Sequence, residues 1–123
     1  MASEKNFENK IKDYLKKNNC WFIKYWGGAA FTKSGIPDIL VCCKGRFMGI
    51  EVKGATGTPS DLQIYNLRQI DKAGGLAILI FPKDYQLLQQ LIDNPDDIEV
   101  YSELKSRWKH FESIINEKQR KGE

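Results

Sequence analysis

No stretch of this chain approaches the ~18 consecutive apolar residues that a membrane-spanning helix requires. The opening segment, MASEKNFENK, is polar and of mixed charge, without the apolar centre of a secretory signal. Both absences set the expectation of no membrane partner and of a cytoplasmic place, or the nucleoid space of a prokaryotic host. Cysteine is scarce. Cys20, Cys42 and Cys43 are the only three and form no CxxC pair, which argues against a disulfide framework and against zinc. Cys42 and Cys43 sit side by side in an apolar run, where successive strand residues point to opposite faces, so both read as core residues. Histidine is scarcer still: His110 alone. A catalytic thiol would thus have a single imidazole to serve as its base, and His110, beside Trp108 and Phe111, reads as a surface or packing residue. A strong excess of one charge is missing too. The net charge is +3 and the pI about 8.7, short of the basicity that by itself announces nucleic-acid binding. Repeats, low-complexity tracts and linkers are also missing, so the 123 residues read as a single domain spanning 1–123.

What is present is alternating order. Residues 4–19 have Phe7, Ile11, Tyr14 and Leu15 at helical spacing behind a capping Ser3, and Asn18–Asn19 ends the run. Residues 20–26, CWFIKYW, are aromatic and β-branched and read as a strand. Gly27, Gly28, Gly35 and Pro37 mark a loop. DILVCC (38–43) and RFMGIEVK (46–53) read as two strands joined by a tight turn at Lys44-Gly45. After GATGTPS, Thr58 is expected to cap a helix with Pro59 at its first position, running to about Ala73 and stopping at Gly74-Gly75. LAILIF (76–81) is continuously apolar, as a buried central strand would be. A short helix over 84–92, a short edge strand over 98–101 and a final helix over 102–119 complete the chain, the last with Leu104, Trp108, Phe111 and Ile115 on one face. Three strands in a meander, a helix, then a fourth strand imply an α/β fold with a central mixed sheet flanked by helices.

The hairpin brings chemistry together. With a two-residue turn, Cys43 faces Arg46, and counting back along both strands sets Asp38 opposite Glu51, with Cβ atoms about 4.5–5.5 Å apart. Lys53, two residues on, shares their face with Leu40, Cys42, Phe47 and Gly49. Ile39, Val41, Met48, Ile50 and Val52 line the other. Both faces are mostly apolar, so the hairpin is expected to be covered on both sides. Burying two carboxylates together costs several kcal/mol unless a positive charge lies between them. A divalent cation answers that need, and two carboxylates with a backbone carbonyl and waters suit the hard ion Mg²⁺. Lys53 beside them could hold a water or offset charge developing on a transferring phosphoryl group. The structural alternative is a plain carboxylate–lysine pair on a half-exposed strand.

SGIPDIL, then IEVKG after a glycine turn, resembles the PD-(D/E)xK nuclease superfamily, and within it the VRR-NUC (virus-type replication-repair nuclease) family. The likeness extends to SDLQ ahead of IDKAGGLAILI, a pattern similar to that of archaeal-type Holliday junction resolvases. It covers residues 4 to about 92 and is strongest over 34–75. It implies a restriction-endonuclease-like αβββαβ core with an extra C-terminal helix. It further implies Asp38 and Glu51 as ligands of Mg²⁺ or Mn²⁺, Val52 lending its carbonyl, Lys53 completing the catalytic set and Gln63 orienting groups beside it. Family members often place an acidic residue on the first helix. Glu8 is the candidate, bordering the buried face of Ile11 and Leu15; otherwise it is an exposed charge, and Gln63 an amide at the core's edge.

Lys33 and Ser34, in the loop leading to Asp38, are candidates for phosphate contacts, unless that loop is shaped by turn needs alone. Trp21, Phe22, Tyr25 and Trp26 either stack on splayed bases or build core. Stand-alone members of this family occur in phages and often work as homodimers, which suits a two-fold symmetric four-way junction. The expectation is therefore a Mg²⁺- or Mn²⁺-dependent endonuclease acting on DNA, selective for branched or four-way junctions. The alternatives are a less selective nicking or restriction-like nuclease and a DNA-binding module with a vestigial site.

Overall fold

The computed structural model describes residues 3–27 and 33–122; Gly28, read above as a loop breaker, lies outside them. Helix α1, Glu4–Lys17, starts where the Ser3 hydroxyl accepts the Asn6 N–H at 3.1 Å and buries Phe7, Ile11 and Leu15. It ends at Asn18, and the next residue, Asn19, takes φ of 59°. Strands β1 (Trp21–Lys24), β2 (Ile39–Cys43) and β3 (Arg46–Val52) follow, then helix α2 (Asp61–Lys72) and strand β4 (Leu76–Ile80). A 3-10 turn, Pro82–Asp84, leads into α3 (Tyr85–Asp93), and α4 (Ile98–Lys121) closes the chain.

The four strands form one mixed sheet in the order β1-β2-β3-β4. The first three pair antiparallel, and β4 lies parallel to β3. Cys43 faces Arg46 and Ile39 faces Ile50, the register the turn required. Lys44 and Gly45 take φ of 51° and 79°, the pair of positive angles of a type I′ hairpin, whose twist matches that of the strands it joins. On one face Val41, Met48, Ile50 and Ile78 pack against α1 and α3 in the main core. On the other, Ala77 and Leu79 meet Ile64 and Leu67 of α2 and Trp108 of α4. The architecture is mixed α/β with helices on both faces of the sheet.

Four local readings change. Residues 98–101 are the first turn of α4, not an edge strand, because the Asp97 carboxylate accepts the Val100 N–H at 3.1 Å and starts the helix there. The cap of α2 is Ser60 rather than Thr58, and Pro59 precedes the helix. β4 is an edge strand, although all five of its residues are buried. At Ala77 its outward backbone groups are taken by α4: the Ala77 N–H donates to the Tyr101 hydroxyl at 3.0 Å, and the Trp108 indole N–H donates to the Ala77 carbonyl at 2.9 Å. That sealing lets the strand read as central. Finally, the hairpin is covered fully on one face and only in part on the other, where Gly49 and Glu51 are buried. Cys43 is buried, but Cys42 is exposed, and it lies in a row with Trp21 and Phe47, which are 63% and 45% exposed. Helices α2 and α4 reach across β3 and β4 but leave this β1–β2 portion open.

Candidate active site

The antiparallel pairing of β1 with β2 and of β2 with β3, and the parallel pairing of β3 with β4, bring four chain segments to one rim of the sheet. They are the end of β1, the start of β2, and the carboxyl ends of β3 and β4. Asp38 stands just ahead of β2, and continuing the observed register sets it beside Glu51. Its Oδ2 accepts the Val52 N–H at 2.8 Å. In an antiparallel pair the N–H and C=O of one residue point to the same side, so the Val52 carbonyl also faces the Asp38 side.

Glu51 is 2% exposed. Its Oε2 accepts a hydrogen bond from Gln63 Nε2 at 3.0 Å and lies 3.6 Å from Lys53 Nζ. Its Oε1 is buried and, among the described residues, has no hydrogen-bond partner. Burial, and then the neighbouring Asp38 charge, push its pKa up to about 8, against the opposing pull of Lys53. Gln63 is aimed by a capping box. Its N–H donates to Ser60 Oγ at 3.2 Å while its Oε1 accepts the Ser60 N–H at 2.9 Å. With Oε1 so occupied, the amide turns its NH₂ to Glu51. The Ser60-x-x-Gln63 spacing carried this signal, and placing the cap at Thr58 concealed it.

Glu8 joins the site through a residue that the motif reading did not single out. Lys24, at the end of β1, lies 2.6 Å from Glu8 Oε1 and 3.5 Å from Asp38 Oδ1. Burial works against the Lys24 charge, but its hydrogen bond to Glu8 and the charge of Asp38 outweigh it and hold its pKa above the ordinary lysine value. Lys12 reaches the other oxygen of Glu8 at 3.3 Å. Glu8 is thus tied to Asp38 through a shared ammonium.

A polar cleft of about 320 Å³ opens beside these groups, lined by Lys24, Trp26, Lys33, Asp38 and Gln63 among others. The Tyr25 hydroxyl fixes Lys33, donating to its carbonyl at 3.0 Å and accepting its N–H at 2.8 Å. Ser34 is exposed and does not line the cleft. Of the aromatic residues of 20–26, Trp26 stands at the lip, 75% exposed, with Lys24 Nζ 5.6 Å from its ring centre. Trp21 belongs to the open sheet face, and Phe22 packs against the main core.

Among the described residues no three His, Cys, Asp or Glu side chains converge as a metal cluster. The set that could hold a cation is smaller: Asp38, Glu51 and the Val52 carbonyl. The orphaned Oε1 of Glu51 fits such an ion, because an unpaired buried carboxylate oxygen costs the full loss of its hydration. Against protein-family models and curated proteins, the chain finds no match.

Proposed function

We propose that the chain is a metal-dependent DNA endonuclease with a restriction-endonuclease-like core, in keeping with its resemblance to the VRR-NUC family. The observation that carries this reading is Glu51 Oε1, a buried carboxylate oxygen without a partner among the described residues, beside a second carboxylate. Asp38, Glu51 and the Val52 carbonyl would hold Mg²⁺ or Mn²⁺, and when bound the ion supplies Lewis acidity for hydrolysis of a phosphodiester. The chain's own residues supply the rest. Gln63 and Lys53 both engage Oε2, which leaves Oε1 to the ion. The Lys53 ammonium can also offset charge on the phosphoryl oxygens as the 3′ oxygen leaves. Lys24 balances Glu8 and Asp38 so that the carboxylates stay in place. Lys33, on the cleft wall, suits a backbone phosphate.

The substrate proposed is branched DNA, a four-way junction above all, cut by a homodimer whose two sites address paired strands. The test is cleavage of a labelled four-way junction beside linear duplex and single strand, with Mg²⁺ or Mn²⁺, by wild type and Asp38→Ala. Symmetric cutting of the junction alone, lost in the variant, is expected. Cutting of all three substrates removes the selectivity and keeps the nuclease. Junction binding without cutting, together with no calorimetric binding of either ion, overturns the enzyme reading and leaves a DNA-binding module.

A further inference from the structure

A second cavity, of about 490 Å³, lies on the other flank of the carboxylates. It opens beyond the carboxyl ends of β3 and β4, the place where open α/β sheets receive ligands. Its position relative to the site follows from the backbone. The Lys53 N–H donates to the Ile80 carbonyl at 3.0 Å, which sets Lys53 beside Phe81. A Cβ at Gly57 would meet Lys53 Cδ at 3.3 Å, so the loop that forms one wall also rests on the Lys53 stem. One strand spacing, ~4.8 Å, separates β3 from β4. The rim therefore runs from the Trp26 cleft at β1, over Asp38 and Glu51, to this cavity at β4.

The lining is not that of an ordinary core gap. Phe81 and Phe111 give it aromatic walls, and both are anchored in the smaller core. His110 stands edge-on to Phe111 with ring centres 5.4 Å apart. Lys83, Ser106 and Thr56 are exposed around the mouth. Arg107, also in the wall, is held by Asp84 in a two-point pair and by Glu103, so it stiffens the rim while Lys83 offers its charge outward. Aromatic walls with a cationic and hydroxylic mouth match a nucleotide: the base has two π-faces to stack, and its phosphate needs a cation outside.

Building on the nuclease reading, we propose that this cavity takes the base of an unpaired nucleotide next to the phosphodiester at Asp38 and Glu51, with Lys83 on that nucleotide's phosphate. The strand thereby crosses the whole rim, gripped at Trp26 and Lys33 on one side and at Phe81, Phe111 and Lys83 on the other. A base seated there has left its stack, so the pocket favours DNA with unpaired or readily opened nucleotides beside the cut.

His110 is the only histidine, so its imidazole proton resonances report on this cavity alone. Thymidine monophosphate, (dT)₄ and inorganic phosphate are titrated into the metal-free full chain, as wild type, Phe111→Leu, Lys83→Ala and Thr56→Trp. A saturable shift with both nucleotide probes is expected, much weaker with inorganic phosphate. Phe111→Leu, which keeps an apolar anchor, should weaken binding roughly tenfold through lost stacking. Thr56→Trp, which fills the mouth from an exposed loop, should abolish it. No shift, an equal shift with inorganic phosphate, or an undiminished shift in Thr56→Trp overturns the proposal. Cleavage assays on the same proteins, with Mg²⁺ or Mn²⁺ added, separate the two readings. Junction cutting with a silent His110 removes the pocket and keeps the nuclease, and nucleotide binding without cutting does the reverse.

Discussion

Glu51→Gln probes the charge state on which the site depends. Burial and the adjacent Asp38 charge raise the Glu51 pKa from 4.5 to about 8. The unfolded chain releases this proton near pH 4.5, whereas the folded protein keeps it until about pH 8. Across that window the folded state binds more protons, so raising the pH favours unfolding. Each unit is worth about 1.4 kcal/mol, so the metal-free protein loses roughly 5 kcal/mol from this one group between pH 4.5 and 8. Beyond about pH 8 both states are ionised and the loss levels off. An amide at this position has no such titration and keeps a group for Gln63 to meet. The assay is urea unfolding in EDTA at pH 5, 6.5 and 8.5, followed by the fluorescence of buried Trp108. The variant should gain several kcal/mol on wild type between the first and last pH, and Mg²⁺ should narrow the gap by binding wild type alone. Parallel pH dependences in EDTA, or a wild type that gains on the variant as pH rises, would refute the reasoning.

Other substitutions test the framework. Trp108→Ala removes a fully buried indole and its bond to the Ala77 carbonyl, and should cost about 3–5 kcal/mol in urea unfolding. Lys24→Met leaves Glu8 and Asp38 without the ammonium they share; a loss of about 1–3 kcal/mol is expected at pH 7, mostly recovered in Lys24→Arg. Gly35 has φ of +79°, and a Cβ there would meet Leu62 Cγ at 2.6 Å and the Leu62 carbonyl oxygen at 2.9 Å. Gly35→Ala should therefore destabilise by at least about 1–2 kcal/mol and lower junction cleavage, since the loop leads to Asp38. At Gly49 the nearest atom is the flexible Ile70 Cδ1, at 2.7 Å, so Gly49→Ala should cost less when the thermal melts of the two variants are compared with wild type.

Much of the site was legible because the hairpin is short. A two-residue turn fixes the register of β2 against β3, and from that register the meeting of Asp38 with Glu51 follows without further information. The pairing of β1 was not legible in the same way. Residues 27–37 join β1 to β2 through a long connection whose length sets no register, so nothing in the sequence said that Lys24 would end opposite Ile39 and reach Asp38. The burial of the hairpin's second face was misjudged for a related reason. Alternation tells which residues share a face, but what covers that face depends on where α2 and α4 come to rest. Cys42 and Phe47 are apolar in sequence and open to solvent in the fold. The edge position of β4 was hidden because helix α4 satisfies its backbone through side chains, a substitution that composition does not register.

That substitution makes the two edges of the sheet unequal. Tyr101 and Trp108 occupy the outward N–H and C=O of Ala77, the bonds a fifth strand would otherwise make at that residue. Tyr101 is steadied in turn by its hydroxyl donating to Asp71 at 2.8 Å. Helix α4 therefore works as a gasket over β4 at Ala77, and among the described residues the edge that no helix side chain caps in this way is β1, beside the lip that carries Trp26. Assembly by backbone pairing at that edge would place the newcomer against the cleft and away from the β4 cavity. Cutting the chain ahead of α4 would open the second edge and turn a closed boundary into a template for unregulated growth.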